Sequence, residues 1–128
     1  MTTFVARMRQ TERPMTERLK IVSESTERHG RRILRVTGRV TLETVPDFLK
    51  ALRAETASVV ILDMAGVPYM DSAGVGALVQ MHVAYQKNGQ LLAMASIQTR
   101  VDAVLDIARV KKVLKSFPDV ETAEQSLG

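Results

Sequence analysis

The sequence predicts a single α/β domain with a mixed, mostly parallel sheet of about five strands and about four helices. The chain has 128 residues, of which 45% are hydrophobic and 25% charged, which suits one buried core rather than two domains. Short apolar segments of strand length alternate with segments of helical periodicity. Single helices between successive strands indicate right-handed β-α-β crossovers, so most of the sheet is expected to be parallel.

The first two strands are predicted to form an antiparallel hairpin. Residues 19–22 alternate between apolar and polar side chains, and a β-branched-rich strand around residues 33–36 stops at Gly38. The polar segment between them, residues 23–30, ends on a glycine and is short enough for a direct turn.

A helix and a buried strand follow the hairpin. Thr44 is a suitable N-cap, and Pro46 falls in the first turn, where its missing N–H costs nothing. Four apolar side chains at helical spacing form one stripe: Val45, Phe48, Leu49 and Leu52. Residues 58–64 are an apolar run without helical spacing, which is typical of a central strand covered on both faces.

The longest predicted helix begins at Asp71 or Ser72 and runs to about Asn88, with Gly89 just beyond its end. The spacing of its side chains predicts one shared face formed by Val75, Leu78, Val79, His82 and Gln86.

The remaining elements complete the alternation. Residues 91–95 are predicted as a fourth strand, and residues 113–117 and 119–127 as a short last strand and a last helix. Between them lies a helix for which Ser96 is the expected cap, with apolar positions Val101, Val104, Leu105 and Ala108.

Charge and cysteine content exclude several functions. The chain has no cysteine and two histidines, so no thiol nucleophile, thiolate metal site or disulfide framework is expected. Its net charge is +4, and residues 1–14, with three arginines and one glutamate, supply half of that excess. We expect no direct nucleic-acid binding by the domain, and binding through the basic N-terminal arm stays an alternative.

The chain is divided into an N-terminal extension over residues 1–16, expected to be flexible, and one domain over residues 17–128. No apolar run approaches the ~20 residues of a membrane-spanning helix, and the N-terminus lacks the apolar stretch of a secretory signal. A cytoplasmic protein that does not bind membranes is expected.

The segment over residues 62–78 carries the chemistry. A buried strand leads into a loop, and Asp71-Ser72-Ala73-Gly74 then opens a helix at the edge of the sheet where ligands bind in α/β folds. A helix N-terminus presents unpaired N–H groups and partial positive charge, so it accepts an anion. Gly74 and Gly76 lack Cβ atoms and allow another backbone to come close.

Structural roles are open for the same residues. Ser72 and Asp71 are equally suitable as helix N-caps, and Asp63 could be a strand-end carboxylate that bonds loop amides. A nucleophile elbow needs glycine where Met70 stands, and His82 lies too far along the helix to take the Ser72 proton. We therefore expect no enzymatic activity, no catalytic residue, and no cofactor or metal.

The strand ending Leu62-Asp63, followed by Val-Pro-Tyr-Met-Asp-Ser-Ala-Gly-Val-Gly-Ala-Leu over residues 67–78, resembles the signature of the bacterial STAS-domain anti-sigma factor antagonists. Flanking features agree from about Arg18 to Leu127. They include the strand ending Val-Thr-Gly-Arg-Val at residues 36–40 and the helix start Thr-Val-Pro-Asp-Phe at residues 44–48. The resemblance implies a single STAS domain.

The resemblance also implies a phosphorylation-controlled partner switch. The unmodified antagonist of this family binds an anti-sigma factor with serine kinase activity and so releases a sigma factor. The kinase phosphorylates the motif serine, here Ser72, and a serine/threonine phosphatase of the metal-dependent class restores it. The expected partner-binding residues are Pro68, Tyr69, Met70, Asp71, Ala73, Gly74, Val75 and Gly76, with Asp63 and Asp71 as possible support for phosphotransfer.

One departure from the family pattern concerns the loop after the second strand. Family members often carry an acidic residue there, whereas this chain has Gly38-Arg-Val-Thr41, with Glu43 two residues later. Whether Thr41 or Glu43 replaces that acidic residue is left open. A STAS scaffold or transporter-associated module that works without phosphorylation is the alternative function.

Overall fold

A five-stranded mixed sheet forms the centre of the fold, as the sequence predicts. The structure, a computed structural model, describes residues 18–127, and the predicted N-terminal extension lies outside the described residues. The strands lie side by side in chain order. β1 (Lys20–Ser25) pairs antiparallel with β2 (Arg31–Thr37), which confirms the hairpin. β3 (Val59–Gly66), β4 (Leu91–Ala95) and β5 (Lys115–Phe117) continue the sheet in parallel.

Four helices pack on the two faces of this sheet, α1 (Val45–Ala54), α2 (Ser72–Lys87), α3 (Thr99–Ile107) and α4 (Val120–Ser126). The main core joins buried side chains of α1, α2 and α3 to Leu62 of β3. A smaller core joins Ile61 of β3 to Ala123 of α4. Because successive side chains of a strand point to opposite faces, β3 is buried on both sides, as its apolar sequence predicts.

The start of α1 differs from the prediction in one detail. Thr44 occupies the N-cap position, but its side chain makes no capping hydrogen bond. Its hydroxyl instead donates to the Arg39 carbonyl (2.7 Å) and accepts from the Thr41 N–H (2.9 Å). Thr44 therefore braces the loop between β2 and α1, while Pro46 lies in the first turn and Phe48 is buried as predicted.

The packed face of α2 is rotated from the predicted one. Its buried residues are Gly74, Val75, Ala77, Leu78, Met81 and Tyr85. Val75 and Leu78 are buried as predicted, whereas His82 is half-buried and Gln86 is exposed. Tyr85 explains the rotation, because its hydroxyl donates to the Leu52 carbonyl of α1 (2.7 Å) and burial raises the pKa of the phenol.

Two predicted boundaries near α3 and β5 are wrong. Ser96 has a positive φ of 60° and lies outside the helix, whose N-cap is Gln98. The Gln98 side-chain amide donates to the Ala65 carbonyl (2.6 Å), so α3 starts where it is anchored to the end of β3. Val113, predicted to begin the last strand, is exposed and lies in a turn. The last strand begins at Lys115, which is its first residue to pair with β4.

The last helix is held at both ends. Asp119 is its N-cap and accepts from the Thr122 N–H (2.7 Å). Buried Arg31 at the start of β2 donates to the Glu124 carboxylate (2.8 Å) and to the Leu127 carbonyl (3.0 Å). These contacts close the second face of the sheet.

The cap of α4 gives a pH-dependent contribution to stability. Hydrogen bonds from Thr122 hold the pKa of Asp119 below its usual value. Since the folded-state pKa is the lower one, this stabilisation is present at neutral pH and is lost as the pH falls through the folded-state pKa. Asp119→Ala should lower the melting temperature at pH 7, and the difference from the unmodified chain should shrink at about pH 3.

Thermal unfolding followed by circular dichroism at both pH values measures this effect. Asp119→Asn keeps an acceptor for Thr122 and is expected to lose less at pH 7. The same melting-temperature difference at both pH values would contradict an ionised cap.

Candidate functional site

Ser72 lies exposed at the first position of α2, next to the end of the central strand. The residue before it, Asp71, is the N-cap, and its carboxylate accepts from the Gly74 N–H (2.9 Å). The structure thus decides between the two predicted caps. Because Asp71 satisfies the helix end, the Ser72 hydroxyl has no capping role and faces the surroundings of the protein.

The loop before α2 is paired with the loop after β2. The Val40 N–H donates to the Tyr69 carbonyl (3.0 Å), and the Asp71 N–H donates to the Val40 carbonyl (3.1 Å). The second oxygen of the Asp71 carboxylate accepts from the Leu42 N–H (3.1 Å). One carboxylate therefore binds the first turn of α2 and the neighbouring loop together, which fixes the position of Ser72.

Gly74 permits this close approach. A Cβ atom there would lie 2.7 Å from the Val40 carbonyl oxygen and 2.6 Å from a side-chain carbon of Met70. At Gly76 a Cβ would meet nothing within 4 Å. The expected backbone contact is therefore real at Gly74, while Gly76 is an exposed position on the surface of α2.

The predicted partner-binding residues divide into a surface set and a supporting set. Pro68 and Gly76 are exposed, and Tyr69, Asp71 and Ala73 are half-buried. Of the other predicted partner-binding residues, Met70 is fully buried and Gly74 is buried as well. The Met70 side chain lies beneath Gly74, and the Gly74 backbone lies against Val40. Val75 is 7% exposed and lines an apolar groove between α2 and α3.

Asp63 does not join Ser72. Its side chain lies on the sheet face opposite to Leu62, which packs in the core with α2. The Asp63 carboxylate pairs with the Arg35 guanidinium and accepts from the Ala65 N–H (3.0 Å). Asp63 thus has the geometry of the alternative role, that of a strand-end carboxylate.

A polar cleft of about 330 Å³ lies on one side of the site, lined by Arg39, Thr41, Leu42, Glu43, Tyr69 and Asp71. Both candidates for the missing acidic residue, Thr41 and Glu43, therefore line the same cleft as Asp71. The Thr41 hydroxyl is buried without a hydrogen-bond partner among the described residues. Only Glu43 can supply a carboxylate there besides Asp71.

An apolar groove on the other side was not predicted from the sequence. It has a volume of about 590 Å³ and runs between α2 and α3, lined by Ser72, Val75, Gly76, Val79, Val104, Ile107, Ala108 and Val110. Ile107 is 82% exposed at the end of α3. The sequence contains one indication of this groove. Ile107 is apolar but does not share the helical face of Val101 and Leu105, the buried residues of α3.

Two arginines near Ser72 were also missed. The guanidinium groups of Arg39 and Arg100 lie over the Tyr69 ring, 5.3 and 5.4 Å from its centroid. These distances are within the range of cation–π attraction. The two side chains come from the loop after β2 and from α3, so only the fold brings them together.

Two other features, a metal-binding cluster and a membrane-spanning helix, are absent from residues 18–127. No group of three or more His, Asp or Glu side chains is arranged there to hold a metal ion. No helix in that range is long and apolar enough to cross a membrane.

The two glycines of α2 give a matched test of this geometry. Gly74→Ala should destabilise the fold by about 1–3 kcal/mol, because the new methyl group clashes with the Val40 backbone. Gly76→Ala should stabilise it by up to about 1 kcal/mol, because alanine favours a helix and meets open space. Urea unfolding of both variants measures the free energies, and equal effects would contradict the described loop contact.

Comparisons with known proteins agree with this architecture. The family model of the STAS domain matches residues 20–123. An anti-sigma-B factor antagonist from Staphylococcus epidermidis is 30% identical over 84 residues, which is 63% of this chain and 78% of the relative. The crystal structure of an anti-sigma factor antagonist from Mycobacterium paratuberculosis has a TM-score of 0.74 at 15% identity, covering 84% of this chain and 92% of the other.

A sulfate transporter family protein from Wolinella succinogenes has the same fold, with a TM-score of 0.66 at 26% identity over 77% of this chain and 85% of the other. The family match extends over most of the described domain and includes the loop and helix around Ser72. The resemblance inferred from the sequence is confirmed: this chain belongs to the STAS domain family.

Proposed function

We propose that this chain is an anti-sigma factor antagonist controlled by phosphorylation of Ser72. The unphosphorylated form binds an anti-sigma factor that is a serine kinase, and this binding releases a sigma factor. The observation that carries the proposal is the position of Ser72, exposed at the N-terminus of a 16-residue helix and at one end of an apolar groove. The Staphylococcus relative, an anti-sigma-B factor antagonist, supports the same assignment.

Electrostatics explain why a phosphate at Ser72 would change binding and leave the fold intact. A phosphate adds about −1.5 to −2 charge, and the N-terminus of α2 can accept this charge because its N–H groups and dipole are positive there. A partner covering the same surface would bury that charge beside the Asp71 carboxylate. A penalty of ~2.8 kcal/mol would weaken the complex about a hundredfold.

The chain itself would act without catalysis. Ser72 and His82 are ten residues apart on α2, a rise of about 15 Å, so the imidazole does not reach the hydroxyl. Asp71 has both carboxylate oxygens bonded to backbone N–H groups, which suits a positioning role. The partner kinase would supply phosphotransfer, and a metal-dependent serine/threonine phosphatase would remove the phosphate. We place this cycle in the cytoplasm, without direct contact to nucleic acid or membrane.

A second candidate is a STAS module that binds partners without a phosphorylation cycle, as a scaffold or beside a transporter. The observation that favours it is the likeness to the Wolinella protein, which is named for the sulfate transporter family. The two functions differ in their response to ATP, because only the first loses its partner when the kinase is active.

Substitution of Ser72 tests the switch. Ser72→Ala should bind the cognate anti-sigma factor whether or not ATP is present, because it cannot be phosphorylated. Ser72→Asp and Ser72→Glu should bind at least about tenfold more weakly, since they place a permanent charge in the interface. Ser126→Asp adds the same charge at an exposed position on α4 and should bind like the unmodified chain.

Binding is measured by calorimetry, and the phosphate is located by mass spectrometry after incubation with the kinase and ATP. Phosphate at another residue, or full-strength binding by Ser72→Asp, would contradict the proposed switch.

The apolar groove is expected to be part of the partner interface. Gly76→Leu should keep the fold, because the position is exposed and open, but its side chain would occupy the groove. Binding of the anti-sigma factor should fall by about tenfold or more, as expected when an interface is overfilled. Gln86→Leu adds a leucine at an exposed position near the end of α2 and serves as the control. Equal binding by both variants would place the interface elsewhere.

A further inference from the structure

The groove between α2 and α3 combines an apolar floor with a one-sided distribution of charge. Its α2 wall is neutral, because Lys87 is the only Asp, Glu, Lys or Arg residue between residues 72 and 87. The other wall and its continuation, residues 99–115, contain five basic and two acidic side chains. The α2 wall of the groove is therefore almost uncharged, and the wall formed by residues 99–115 carries a net positive charge.

Several of these cations have no carboxylate partner within residues 18–127. Lys111 is paired with Asp102 (3.1 Å). Among the described residues, Arg39, Arg100 and Arg109 form no salt bridge. Arg39 and Arg100 are held over Tyr69, three residues before Ser72, and Arg109 follows Ile107 of the groove. Unpaired guanidinium groups beside an apolar surface favour an acidic ligand.

The two acidic residues in the positive wall, Asp102 and Asp106, do not neutralise its basic side chains. Asp102 forms a salt bridge with Lys111. Asp106 lines a neighbouring cavity whose other lining residues are all basic: Arg109, Lys111 and Lys112. The apolar side chains of the same region are unusually accessible, with Ile107 82% and Val113 53% exposed. This surface thus offers both an apolar contact and a positive rim.

We propose that the groove binds an acidic amphipathic helix of a protein partner. Its apolar face would lie on Val79, Val104 and Ile107, as in other complexes where a helix fills a groove between helices. Its carboxylates would pair with Arg100 and Arg109, which belong to α3 and the segment after it. This inference rests on the proposed function. It adds that the segment of the partner that binds the groove is helical, acidic and amphipathic. A phosphate on Ser72 would repel such a helix directly and would compete with it for Arg100.

The test uses two synthetic helical peptides of about 18 residues with identical leucine positions, one with glutamate and one with lysine on the polar face. Titration into the ¹⁵N-labelled full chain is followed by heteronuclear NMR. The acidic peptide should shift the amides of Gly76, Val79 and Ile107, whereas the basic peptide should not bind there. Arg100→Gln and Arg109→Gln should each weaken the binding of the acidic peptide about threefold and reduce its salt dependence.

Arg28→Gln is the matched control, because Arg28 lies exposed in the β1–β2 turn, at the opposite end of the sheet. Ser72→Asp should weaken the acidic peptide, and Ser72→Asn should not. Equal binding of both peptides, no binding of either, or shifts away from the groove would overturn the proposal. Binding of the groove to anionic phosphatidylglycerol vesicles in place of the peptide would also overturn it.

These outcomes are distinguishable from failure of the proposed function. If the anti-sigma factor binds and responds to Ser72 phosphorylation while the acidic peptide does not bind, only the chemistry assigned to the docking segment is wrong. If the peptide binds but Ser72 is never phosphorylated, the groove is a binding site for an acidic helix and the proposed control by phosphorylation is wrong.

Discussion

The pairing of two loops at the end of the central strand is the contact on which the rest of the site depends. Val40 and Met70 pair in parallel, and both side chains are fully buried. Asp71 adds its carboxylate to the amides of Gly74 and Leu42. These bonds extend the order of the sheet beyond its last ladder pair. They hold the start of α2 so close to the neighbouring backbone that a Cβ atom on Gly74 would lie 2.7 Å from the Val40 carbonyl oxygen. The N-terminus of α2 is therefore part of the core, although Ser72 on it is exposed.

This arrangement separates stability from recognition. Residues that hold the first turn, such as Met70 and Gly74, face inward, while Ser72 and Gly76 of the same turns face outward. A charge added at the outward positions can change what binds without disturbing the contacts beneath. The polar cleft with Arg39 is lined by Asp71, the residue before Ser72, and the apolar groove is lined by Ser72 itself.

Local patterns in the sequence predicted most of the fold. The hairpin and the doubly buried β3 depend on neighbouring residues and are confirmed. The predictions that failed depend on distant contacts. Ser96 does not cap α3 because Gln98 is anchored to Ala65. The face of α2 follows from the contacts of Gly74 with Val40 and of Tyr85 with Leu52. The groove and the arginines over Tyr69 join separate segments, which no local pattern shows.

If phosphorylation of Ser72 changes the surface charge and leaves the fold intact, the backbone beneath Ser72 should be equally ordered in both forms of the chain. Hydrogen exchange followed by mass spectrometry on the unmodified and the Ser72-phosphorylated forms measures this order most directly. Protection of β3 and of the last three turns of α2 should be unchanged, with differences confined to the β3–α2 loop and the first turn of α2. Loss of protection throughout α2 or β3 would show that phosphorylation unfolds the site, and would contradict a switch that acts by charge.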